Sequence, residues 1–180
     1  MFGLLGLLLV VMSWVAGAYL VRTWRGTYDM SISQHAASAK GAFKLFALVL
    51  VVGGGAFYVW LIRWFAPHLH LRPAFTIILS VTTLAQFIVA IVPDTNGWRH
   101  MVHHKIALGM AALYIPLTYL VLSSGRVSGV AKMVSAVCIA YMVVATFLFF
   151  FVKWARSYYL IFQSLYIVAF QVIILSAAYS

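Results

Sequence analysis

The 180-residue chain is 66% hydrophobic and only 8% charged, against about 25% charged residues in an ordinary soluble domain. So short a chain cannot hide that much hydrocarbon behind a water-facing shell, and lipid is the solvent its composition demands. Twelve Lys and Arg against two acids give a formal net charge of +10, but the cations stand singly or in pairs between apolar runs. That is how membrane proteins mark loop ends, and it offers no basic stripe to a nucleic acid.

A spanning helix needs roughly 20 mostly apolar residues. Hydropathy predicts six, at about Gly3–Val21, Leu45–Ile62, Ala74–Val92, Ile106–Leu122, Met133–Val152 and Tyr158–Ala178. The expected fold is therefore all-α, a polytopic bundle of six transmembrane helices in one domain over residues 1–180. The segments are continuously apolar, not alternating as barrel strands would be. The first has no cation before it and no convincing small-x-small cleavage site ahead of the first cations, Arg22 and Arg25, so it reads as a retained helix and not a signal peptide.

The loop after the first segment carries Asp29, Ser31, Ser33 and His35. Gly53-Gly54-Gly55 in the second segment predicts close helix packing. Gln86 in the third segment, and Gln163 and Gln171 eight apart on one face of the sixth, are expected to face the bundle and bond to neighbours. The loop after the third segment carries Asp94, His100, His103 and His104. Pro116 predicts a kink in the fourth segment. The lone Cys138, in the fifth, allows no disulfide within the chain and reads as a small apolar side chain. Trp60, Trp64, Trp98, Trp154, Tyr158 and Tyr159 fall at segment ends, as interfacial belt residues do.

Six crossings put both termini on one side. The loops on the other side hold Arg22, Arg25, Lys40, Lys44, Arg99, Lys105, Lys153 and Arg156, against Arg63, Arg72, Arg126 and Lys132 on the terminal side. The positive-inside rule places the first set in the cytoplasm and both termini outside. Both acids and four of the six histidines then share the cytoplasmic face.

That face is where chemistry is expected. His100 and His104, four apart, would project from one side of a helix that began early enough to include them. His35 or Asp94 could supply a third zinc ligand and water the fourth, and the metal-bound water could then attack an ester or amide at headgroup level. Adjacent His103 and His104 would point about 100° apart, so both cannot easily serve one site. The chain has no Glu, and therefore no H-E-x-x-H motif. No histidine, lysine or carboxylate lies mid-membrane, which disfavours a b-type haem site, a retinal Schiff base and a proton relay.

At these two loops the chain resembles a superfamily of small membrane proteins. It includes the Fgf-receptor-activating-protein and damage-regulated-autophagy-modulator families and a bacterial domain family of unknown function. The shared features are about six helices, Ser31-Ile32-Ser33 between the first two, Pro93-Asp94 after the third, and His104 before the small residues Ala107 and Gly109. Gln34-His35 stands where a Gly often follows the Ser-Ile-Ser stretch, and the usual proline before the second helix is missing. The resemblance implies a lipid-linked role without naming a reaction. Ser31-x-x-x-His35, Asp94 and His100-x-x-x-His104 are also similar, in order, to the zinc-site elements of seven-helix ceramidase-like hydrolases. In that family the His-x-x-x-His lies at the last helix. The leading expectation is a non-enzymatic protein that binds membrane lipid or a membrane partner, or serves as an accessory subunit of a membrane complex. The alternative is a metal-dependent lipid hydrolase using His35, Asp94, His100 and His104.

Overall fold

A computed structural model describes residues 2–24, 26–95 and 97–180; Arg25, one of the cations used for orientation, lies outside them. Six helices are long and apolar enough to cross a membrane. They are α1 (Phe2–Thr23), α3 (Lys40–His68), α4 (Pro73–Ile91), α5 (Trp98–Leu122), α6 (Gly129–Phe151) and α8 (Tyr159–Ala178). Two short helices lie in loops, α2 (Ile32–Ala37) and α7 (Lys153–Arg156). The chain is an integral, multi-pass membrane protein.

Two helices outrun their hydropathy. α3 begins at Lys40 and ends at His68, and α5 begins at Trp98, so His100, His103 and His104 are helical. Charged and imidazole side chains end the apolar signal, but they do not end the backbone ladder at an interface where their heads reach water. The start of α5 is instead set by Gly97, whose φ of 76° favours a residue without a Cβ.

Each spanning helix packs on its chain neighbours, α8 closes the ring on α1, and α8 also touches α5. The apolar core lies toward the end of the bundle that bears the termini. Leu61, Phe65, Phe75, Leu79, Leu117, Val121, Phe170, Ile173 and Ile174 are buried there. Trp60 is only 3% exposed, so it belongs to the core and not to the interfacial belt. Gly6 makes this possible, because a Cβ on it would collide with the Trp60 ring. Phe57, Trp60, Trp64 and His68 stack along α3 with ring centroids 5.5, 5.3 and 4.9 Å apart.

α3 widens into π turns at Val49–Gly53 and Leu61–Phe65. At the first, Gln86 Nε2 donates to Leu50 O at 2.8 Å. Gly54 makes room for it, since a Cβ there would overlap the Gln86 amide. Gly55 faces the Phe87 ring, while Gly53 has no such neighbour within 4 Å. The close packing expected of the three glycines is therefore chiefly the work of Gly54. Gln171 joins α8 to α1, accepting from Trp14 Nε1 and donating to Ser13 Oγ at 3.0 Å. Pro116 lies inside α5, which runs on unbroken to Leu122.

Candidate functional site

The polar residues gather at the opposite end of the bundle from the apolar core. Ser31 opens α2 with a capping box: its Oγ accepts from Gln34 N at 3.0 Å, and Gln34 Oε1 accepts from Ser31 N at 2.8 Å. This fixes the turn and aims both serines at the loop after α4. Ser31 Oγ and Ser33 Oγ donate to Asp94 Oδ2 at 3.1 and 3.0 Å. On the other oxygen, His100 Nδ1 donates to Asp94 Oδ1 at 2.6 Å. The Asp94 side chain is 5% exposed and that of His100 is 47% exposed. A buried carboxylate with three donors is well satisfied, because its charge is met by hydrogen bonds and not by bulk water.

The loop is fixed to α8 as well. Ile32 N donates to Gln163 Oε1 at 2.8 Å, and Leu160 N donates to Tyr28 O at 2.9 Å. Gln163, expected only to face neighbouring helices, thus holds a loop.

The four residues expected as metal ligands separate into different roles. His100 and His104 do share a face, with ring centroids 5.7 Å apart, and His100 reaches Asp94. His35 is 1% exposed and turns back on its own helix, with Nδ1 donating to Ser31 O at 2.9 Å. Its other edge packs against Gly26, where a Cβ would lie 2.6 Å from Nε2. Among the described residues no group of three or more His, Cys, Asp or Glu side chains is placed to hold a metal ion. The structure thus brings His100 to Asp94 with His104 stacked beside it, and leaves His35 bonded to Ser31 O. His103 points elsewhere, as its spacing predicts, and Nδ1 donates to Val92 O at 2.6 Å.

Nor do the serines form an activated nucleophile. Nucleophilic serine chemistry needs the hydroxyl bonded to a base that an acid orients. Here the acid stands between the hydroxyls and the imidazole, so the serines donate to Asp94 and no imidazole takes their protons.

Beside this network lies an open cleft of about 460 Å³, lined by Asp29, Met30, Gln34, Ala37, Ser38, Asp94 and Thr95. Both acids of the chain therefore border one space. Asp29 is exposed and bonds to no described residue. Tyr28, Trp98, Trp154 and Tyr158 are exposed on the same end of the bundle, as headgroup-level aromatics are. Ser31-x-x-Gln34 was a readable capping signal; the partnership of Gln163 with Ile32 had none, because the two lie 131 residues apart. No protein-family model, curated protein or solved structure matches the chain.

Proposed function

We propose that this protein is a non-enzymatic lipid-binding membrane protein that takes an amine-bearing headgroup in the cleft beside Asp94. The observation that carries this reading is the position of that cleft, between two loops at one end of the bundle, with the exposed Asp29 carboxylate on its wall. A protein of formal charge +10 meets lipid phosphate readily anywhere on its loops. What its sequence makes scarce is negative charge, and both acids border this space, where they favour an ammonium group. The positive-inside balance puts the cleft in the cytoplasmic leaflet. The likeness to the Fgf-receptor-activating-protein and damage-regulated-autophagy-modulator families supports a lipid-linked role.

Native mass spectrometry of protein released from mixed vesicles of phosphatidylethanolamine and phosphatidylglycerol tests it. The wild type should retain phosphatidylethanolamine preferentially, and Asp29→Asn should lose the preference. Equal retention of both lipids by the wild type sinks the proposal, and a co-purifying protein at equal stoichiometry would favour an accessory subunit. A zinc-dependent lipid hydrolase is the second reading, with His100, His104 and Asp94 as its ligands and His35 left on Ser31 O. It is supported by the His100–Asp94 pair with His104 stacked beside it. About one equivalent of zinc, lost in His104→Ala, would favour it.

A further inference from the structure

We infer that residues 26–39 form a strap across one end of the bundle, latched by Asp94, and that the docked strap is what builds the cleft. The inference rests on the lipid-binding reading only for what occupies the cleft; the latch stands on its own geometry.

α1 and α3 are neighbours, so the segment joining them has no need to leave their side. It nevertheless reaches the loop after α4 through Asp94 and the start of α8 through Gln163 and Leu160. The attachment is polar. Ser31, Ser33, His35 and Ala36 are the fully buried residues of the strap, while Met30 and Ile32 are only half-buried and Tyr28 is exposed. A segment held by a few hydrogen bonds and little apolar burial opens at far lower free energy than the packed helices around it.

Asp94 is the central fastening. It takes both serine hydroxyls on one oxygen and is steadied on the other by His100. Five of the seven cleft residues, Asp29, Met30, Gln34, Ala37 and Ser38, lie on the strap, and Asp94 and Thr95 form the facing wall. Releasing the strap dismantles the cleft. A ligand that binds only the assembled cleft must therefore hold the strap down, and its apparent affinity follows the fraction of molecules whose strap is docked. Asp94 is thus a positioning residue for the site.

Hydrogen–deuterium exchange of the full chain in detergent, without added lipid, tests the latch. In the wild type, amides 30–37 should exchange faster than those of α6 and slower than free peptide. Asp94→Asn keeps the side-chain shape and removes the charge. It should speed exchange of 30–37 by about tenfold, the effect of losing one charge-assisted contact, and leave α6 unchanged. Ser33→Ala, which removes one hydroxyl and keeps the Asp94 charge, should act in the same direction with a smaller effect. Unchanged strap exchange in Asp94→Asn overturns the latch, whatever the lipids do. Faster exchange throughout the chain also overturns it, because Asp94 would then support the whole bundle. In phosphatidylethanolamine nanodiscs the wild-type strap should exchange more slowly than in phosphatidylglycerol ones. Equal rates there would break the coupling to lipid, while the vesicle-retention experiment judges the lipid reading separately.

Discussion

Adding one methyl group at Gly54 should destabilise the bundle, whereas adding it at the adjacent Gly53 should not. The Cβ at position 54 would overlap the Gln86 amide. The amide must then move, and its 2.8 Å bond to Leu50 O is lost. Hydrogen bonds between membrane helices are worth about 0.6–2 kcal/mol, and forcing extra volume into a packed contact costs about 1–3 kcal/mol. Alanine recovers about 1 kcal/mol over glycine within a helix. The net expectation for Gly54→Ala is a loss of about 1–4 kcal/mol. Gly53 has no such neighbour within 4 Å, so Gly53→Ala should be neutral or gain up to about 1 kcal/mol. Thermal unfolding in detergent reads both, at about 2–4 °C per kcal/mol on soluble-protein scaling for a chain of this size. Gln86→Ala removes the colliding amide. The double variant Gly54→Ala with Gln86→Ala should therefore be more stable than the two single losses added together. Gly54→Ala as stable as Gly53→Ala, or strict additivity in the double variant, would refute the reasoning.

Two further substitutions probe polar groups inside the membrane. Gln171→Leu should lower stability by about 1 kcal/mol, because Trp14 Nε1 and Ser13 Oγ both lose a partner on α8; an unchanged melting temperature would mean that these contacts contribute nothing net. Ser135 Oγ is buried with no hydrogen-bond partner among the described residues, so Ser135→Ala should be neutral or stabilising by about 1 kcal/mol, and a clear loss of stability in the same melt would show that the hydroxyl is satisfied after all.

The helices were legible because lipid demands continuous apolar runs, and their number follows from counting them. Their ends were not, since hydropathy stops at Lys44, Arg63 and Lys105 while the backbone ladder of α3 and α5 continues past all three. The polar face was legible as a place. Both acids and four histidines fell on it, and the spacing of His100 and His104 predicts their shared side. Its wiring was legible only at Ser31-x-x-Gln34, which has the spacing of a capping box. The bond from Ile32 to Gln163 gives no local signal. Trp60 reads as a belt residue because nothing local announces that Gly6, far away in sequence, will leave it a berth. The π turns of α3 give no hydropathy signal at all, because widening a helix leaves its composition unchanged.

The separation of the apolar core from the polar end has a bearing on bilayer thickness. Large interlocked side chains fill the half of the bundle near the termini, and close-packed side chains transmit strain with little give. The other half is tied by hydrogen bonds through Asp94, Gln163 and Gln86, which can tilt and lengthen slightly at small cost. A membrane thinner or thicker than the helices prefer imposes hydrophobic mismatch on both leaflets alike. The two halves should therefore answer mismatch unequally, the terminal half keeping its shape while the end that the strap crosses takes up the splaying.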